Sequence, residues 1–126
     1  MKGYTALVLT PAAKDVLLNV YKPKYENIKA DHVTVNFDVS EDTVLPVVNS
    51  IEVIGYINDG IGLDLALVAV NGKTRRADGG TYHITISFGE GRKAKDSNQV
   101  ILDSQHNPTP EGTLFLPVEP TFIPFH

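Results

Sequence analysis

Two tetrapeptides about fifty residues apart carry nearly the same pattern: His32-Val33-Thr34-Val35 and His83-Ile84-Thr85-Ile86. Polar and β-branched residues alternate with a period of two, which is the signature of a half-buried strand. In such a strand His and Thr point to one face, and the two β-branched residues point to the other. Val33, Val35, Ile84 and Ile86 are therefore expected in a core. His32 with Thr34, and His83 with Thr85, are expected together on a polar face.

Strand signals dominate the remainder. Tyr4 to Leu9, Asp31 to Phe37, Ser50 to Ile57, Leu63 to Val70, Thr81 to Phe88 and Thr113 to Val118 all read as strands. Asn58-Asp59-Gly60 joins the third and fourth as a hairpin, and Asn71-Gly72 marks a further turn. One helix is well signalled. Thr10 is its N-cap, Pro11 sits where a missing N–H costs nothing, and Pro23 ends it after Tyr21. Ala12, Val16, Leu17 and Val20 make its expected buried face. Glu41 to Asn49 is ambiguous, because Pro46 argues against one long helix. A second helix has room near Thr43 to Asn49 or Ser97 to Leu102. Gly89 to Gln99 reads as a polar loop, and the prolines at 108, 110, 117, 120 and 124 read as an extended tail. The expected class is α+β with an antiparallel sheet, in one domain spanning residues 1–126.

Composition narrows the function classes. None of the 126 residues is cysteine, which excludes a disulfide scaffold, a thiolate zinc site and a cysteine nucleophile. That absence suits a reducing compartment, and a cytoplasmic location is expected. The formal net charge of −4 excludes a polycation that grips nucleic acid by bulk charge. Leu65 to Val70 is the longest apolar run, too short to cross a bilayer, so no membrane partner is expected. The apolar start of the chain is broken by Thr5 and Pro11, and reads as a strand rather than a signal peptide.

Two imidazoles and two hydroxyls brought to one groove suit phosphoryl chemistry. One imidazole accepts a proton while the other donates one, near neutral pH. The hydroxyls of Thr34 and Thr85 hydrogen-bond the non-bridging phosphate oxygens as charge develops. A metal is the rival use of two histidines, but with no cysteine and no His-Glu-x-x-His run a zinc site has thin support. No cofactor is expected.

The paired motifs resemble those of the two-histidine (2H) phosphoesterase superfamily. It includes RNA 2′,3′-cyclic phosphodiesterases, the cyclic phosphodiesterase domain of tRNA ligases, and phage anti-CBASS enzymes that cut cyclic oligonucleotides. The resemblance runs from His32 to about Asn98; within it, Gly91 to Asn98 is similar to members of the RNA-repair type. It implies a bilobal, pseudo-twofold fold with the motifs facing across a groove and no metal. It also implies acid and base roles for His32 and His83, and phosphate binding by Thr34 and Thr85. The expectation is a metal-independent phosphodiesterase acting on 2′,3′-cyclic phosphate RNA ends or cyclic oligonucleotides, with no protein partner. The alternatives are an anti-CBASS-type enzyme specific for cyclic oligonucleotides, a non-catalytic nucleotide- or RNA-end-binding module, and a β-rich structural protein whose motifs coincide by chance.

Lys73, Arg75 and Arg76 precede the second motif, and Arg92, Lys93 and Lys95 follow it, six of the eleven basic residues. They form an expected local positive rim despite the net acidity. Tyr4, Tyr56, Tyr82 and Phe88 are candidates for stacking on a base, although Tyr82 shares the core parity of Ile84. Ser87 lies two residues beyond Thr85 and is expected on the same face. Ser97 and Asn98 read equally well as nucleotide contacts or as turn residues. The expected substrate-binding set is Tyr4, Arg75, Arg76, Ser87, Arg92 and Lys93. His106 and His126 are read as incidental.

Overall fold

The computed structural model describes residues 1–103 and 114–125, so His106, Pro108, Pro110, Thr113 and His126 lie outside it. The elements run β1 (Lys2–Leu9), α1 (Pro11–Val20), β2 (Asn27–Ile28), β3 (His32–Ser40), β4 (Ser50–Asn58), β5 (Leu63–Ala69), β6 (His83–Phe88), α2 (Ser97–Asp103) and β7 (Leu114–Pro124). A single 3₁₀ turn, Ala94–Asp96, leads into α2, inside the stretch expected to be a loop. The strands form one antiparallel sheet of seven in the order β2-β6-β5-β4-β7-β1-β3. The expected α+β class with an antiparallel sheet is the one observed. No regular element forms between residues 41 and 49, where Pro46 stands.

Local chemistry explains the boundaries. Thr10 Oγ1 accepts from the Ala13 N–H at 3.2 Å and starts α1 ahead of Pro11. The buried face of α1 differs from expectation: Ala13 and Leu17 are buried, while Val16 and Val20 are 42% and 51% exposed and Ala12 faces solvent. Leu18, and Tyr21 just past the helix, pack against the same core as Ala13 and Leu17. The Tyr21 ring stacks on Tyr56 with centroids 4.9 Å apart, and such a pair is worth about 0.5–1.5 kcal/mol beyond its area. The β4–β5 hairpin is held as expected by its turn: Asp59 Oδ1 accepts from the N–H groups of Ile61, Gly62 and Leu63 at 2.9–3.0 Å. At the next turn Asn71 and Gly72 take φ of +50° and +79°, which that tight hairpin geometry demands.

The proline-rich end is not a tail. It is β7, which pairs with β4 through residues 114–117 and with β1 through residues 118–124. Each proline is registered in one ladder, Pro117 with β4 and Pro120 and Pro124 with β1, so no proline has to serve two full ladders.

The main core lies on one face of this sheet. Leu7, Leu9, Val33, Val35, Ile51, Val53, Ile84, Ile86, Leu116 and Val118 pack there with Ala13 and Leu17 of α1. A smaller cluster of Ile57, Leu63, Leu65 and Leu67 is capped by Val100 of α2. The two ends of the strand order come back together. After β2 pairs with β6, Lys29 and Ala30 donate to the carbonyls of Ile86 and Thr85 at 2.7 and 2.8 Å. Asp31 then accepts from Leu9 of β1 at 2.9 Å, and β3 begins. This crossover sets the first motif beside the second. Among the described residues no helix is long and apolar enough to cross a membrane.

Candidate active site

Both motif strands behave as their alternation requires on the core side: Val33, Val35, Ile84 and Ile86 are buried. On the opposite face His32, Thr34, His83 and Thr85 are half-buried, and all four line one cavity of about 480 Å³. Tyr4 of β1 forms its wall beside His32. Lys29 and Asp31 enter from the crossover, Arg76 and Asp78 from the loop before β6, and Ala94, Lys95 and Asn98 from the start of α2.

Both strands break their alternation at the same place, and β3 breaks it a second time at Asp38, beyond Phe37. Ala6 pairs with Thr34 but Thr5 pairs with Asn36, so Val35 is an extra residue in β3. Leu65 pairs with Thr85 but Asp64 pairs with Ser87, so Ile86 is an extra residue in β6. A bulge of this kind reverses the facing of everything after it. Both bulges are pinned by a buried polar residue of the neighbouring strand. Thr5 Oγ1 accepts from the Asn36 N–H at 3.2 Å, and Asp64 accepts from the Ser87 hydroxyl.

The bulge corrects two readings. Ser87 does not join Thr85 at the cavity; it is fully buried on the other face, donating to Asp64 and accepting from the Tyr25 N–H at 3.2 Å. Phe37, which plain alternation assigns to the core with Val33 and Val35, is turned to the cavity instead and is 62% exposed. The sequence did hold a sign of this: His32-Val33-Thr34-Val35-Asn36-Phe37 and His83-Ile84-Thr85-Ile86-Ser87-Phe88 match over six positions rather than four.

The remaining sequence candidates divide. Tyr4 and Arg76 reach the cavity, while Arg75, Arg92 and Lys93 do not line it. Arg92 is drawn away by charge, to Asp59 at 2.8 Å and Asp96 at 3.6 Å. Lys93 is exposed, and its backbone N–H binds Asp96; Arg75 is exposed on a two-residue bridge to Thr81. Of the basic residues expected at the rim, Arg76 and Lys95 remain at the cavity, joined by Lys29, which belongs to no motif or basic cluster of the sequence. Tyr56 is not a stacking platform either, since its ring covers Tyr21 and its hydroxyl donates to Asp64 at 2.7 Å. Tyr82 is buried in the main core as its parity indicated, and Phe88 packs against the smaller cluster.

Arg76 is held firmly. Its side chain is 13% exposed, pairs with Asp78 at 3.1 Å, and lies so close against Gly80 that a Cβ there would collide with it. The Gly80 N–H and the Arg76 guanidinium hold the Asp78 carboxyl below its ordinary pKa. Thr85 Oγ1 lies 2.8 Å from the buried Ser97 hydroxyl and 3.3 Å from the Ala94 carbonyl. Ser97 is thus a supporting contact of a motif threonine.

The imidazoles sit in different fields. Burial lowers the pKa of both. At His32 the Asp31 carboxylate pulls it back up while Lys29 pushes it down. At His83 the Thr81 carbonyl pulls up, while Arg76 and His32 push down, so His83 feels the charge of His32. His83 Nδ1 lies 2.8 Å from the Thr81 carbonyl. A carbonyl only accepts, so Nδ1 carries the proton and neutral His83 keeps Nε2 as a bare acceptor. Among the described residues no group of three or more His, Cys, Asp or Glu is arranged around a metal position. No protein-family model, no curated protein and no solved structure matches this chain, and the groove itself is therefore the guide to its chemistry.

Proposed function

We propose that the chain is a phosphodiesterase of the two-histidine type that opens ribonucleotide phosphodiesters without a metal. The observation that carries this reading is the lining of one cavity by both imidazoles and both motif hydroxyls. The strand order supports it as well. Outward from the central β4–β7 pair, β5 and β6 on one flank answer β1 and β3 on the other, and the two motif strands bulge at matching residues. This correspondence supports the bilobal, pseudo-twofold plan that the resemblance implies.

We assign the general base to His83, whose Nδ1 hydrogen bond leaves Nε2 free to accept, and the general acid to His32, whose protonated form the nearby Asp31 carboxylate favours against the lowering effect of burial. With a 2′,3′-cyclic phosphate, His83 Nε2 takes a proton from water and the water oxygen attacks phosphorus. The bond from phosphorus to one ribose oxygen breaks, and His32 gives that oxygen its proton. Exchange with solvent then restores both rings. With a 3′–5′ linkage the ribose 2′-hydroxyl replaces water and the 5′-oxygen leaves. Thr34, Thr85 and the Arg76 guanidinium oppose the charge that builds on the non-bridging oxygens. Each well-placed acid or base contributes about 10²–10⁴ in rate.

Incubation with adenosine 2′,3′-cyclic phosphate, an RNA ending in that group, and a cyclic dinucleotide tests this, with products separated by chromatography. Opened monophosphates are expected, in the presence of EDTA as in its absence. Recovery of all three compounds unchanged would overturn the reading and leave a binding groove.

A further inference from the structure

The two matched hexapeptides end in Phe37 and Phe88, and the bulges turn both onto the faces that carry Thr34 and Thr85. Their surroundings differ. Phe88 packs against the cluster of Ile57, Leu63 and Leu65 that α2 caps. Phe37 has no such cover and stands 62% exposed at the cavity edge. It does not stand alone. Its ring lies 6.2 Å from that of Tyr4 with planes 27° apart, and 5.2 Å from that of Phe125, which is itself 40% exposed. Tyr4 in turn lies 5.6 Å from the His32 ring. A run of aromatic faces thus leads from one imidazole out of the groove. The rest of the lining is mostly charged or polar: Lys29 and Asp31 near His32, with Arg76, Asp78, Lys95 and Asn98.

We infer that Phe37, backed by Tyr4 and Phe125, is the stacking platform for the nucleobase of the nucleoside that carries the leaving oxygen. Exposing a large aromatic ring forfeits burial energy, and a bulge that takes it out of the core parity does so at a fixed place. A flat π-surface beside a phosphate groove matches a base, whose own π-face it covers whatever the base's hydrogen-bonding pattern. Since His32 protonates the leaving ribose oxygen, the nucleoside bearing that oxygen lies on the His32 side, where the aromatic faces are. This assignment rests on the phosphodiesterase reading, and it makes base recognition, and not the strained phosphate ring alone, part of how the groove selects its substrate.

The test compares adenosine 2′,3′-cyclic phosphate with glycerol 1,2-cyclic phosphate, which offers the same reacting ring without a base. Base stacking is worth about 1–3 kcal/mol, so Phe37→Ala should lower the ratio of the two kcat/KM values about 5- to 150-fold. Phe37→Trp should preserve it. A ratio unchanged in Phe37→Ala overturns the platform while the catalytic reading stands. Calorimetric titration with adenosine 2′-monophosphate separates the two ideas from the other side. If wild type turns over neither cyclic phosphate yet binds the nucleotide more tightly than Phe37→Ala, the platform stands and the catalytic reading fails. Equal binding by both, without turnover, removes both.

Discussion

The strands β3 and β6 carry the same six-residue pattern, bulge at the same position, and nonetheless build two unlike halves of one groove. On β6 the motif is tied down: His83 Nδ1 to the Thr81 carbonyl, Thr85 to Ser97 of α2, and Ser87 to the buried Asp64. On β3 the motif is open. The Thr34 side chain makes no hydrogen bond among the described residues, His32 faces Tyr4 and the Asp31 carboxylate, and Phe37 is exposed. The same local pattern thus yields a preorganised half and an accessible half. What differs is the cover: α2 and its leading turn close over β6, whereas at the end of β3 the Phe37 ring, with Tyr4 and Phe125 beside it, stays 62% exposed. In the proposed chemistry the fixed half holds the base in one tautomer, and the open half receives the leaving group.

The sharpest way to break this contrast is to make the leaving group need no acid. With uridine 3′-(p-nitrophenyl phosphate), p-nitrophenolate departs unaided. His32→Ala should then regain most of the roughly 10²–10⁴ it loses on an ordinary ribose leaving group, whereas His83→Ala should regain nothing. Recovery in His83→Ala instead would exchange the two roles. Release of p-nitrophenolate, followed by absorbance, decides it.

The hydroxyls offer a smaller but cleaner split. Thr85→Val strands the buried Ser97 hydroxyl, a loss of about 1–3 kcal/mol, while Thr34→Val strands nothing and should unfold as wild type does. Denaturant titration of the two variants measures the difference. Equal destabilisation would mean that the two halves are not held differently.

The pH dependence follows from burial. Both imidazoles have folded-state pKa values lowered from about 6.5, so the unfolded chain binds protons more readily there. Folding stability should therefore be full above about pH 6.5 and fall as pH drops through the folded values. Replacing either histidine with asparagine should flatten that decline. Asp59 and Asp78, lowered from 3.8, add their own loss only at more acid pH. The same shifts should carry the kcat/KM optimum to the acid side of an ordinary imidazole; an optimum above pH 7 would show that burial does not govern these rings.

Much of this was legible from residues alone, and the failures have causes. Alternation found both motif strands and the core beneath them, because a period of two needs no tertiary knowledge. It failed one residue later at both motifs, since a bulge depends on how the neighbouring strand is registered. Ser87 was thereby expected at the groove and Phe37 was passed over. Arg92 looked like part of a basic rim because its partner Asp59 is distant in sequence and near in the fold. The prolines at 117, 120 and 124 suggested an extended tail, yet β7 accommodates them by pairing with one neighbour at a time.

The most direct measurement is the rate of opening of adenosine 2′,3′-cyclic phosphate by wild type, His32→Ala, His83→Ala and the double variant, all with EDTA present. Two rings acting on one phosphorus centre should each cost about 10²–10⁴ when lost, and the double variant should be little worse than the poorer single one, because groups that act as a unit are not additive. Either single variant turning over at the wild-type rate would contradict the two-histidine groove.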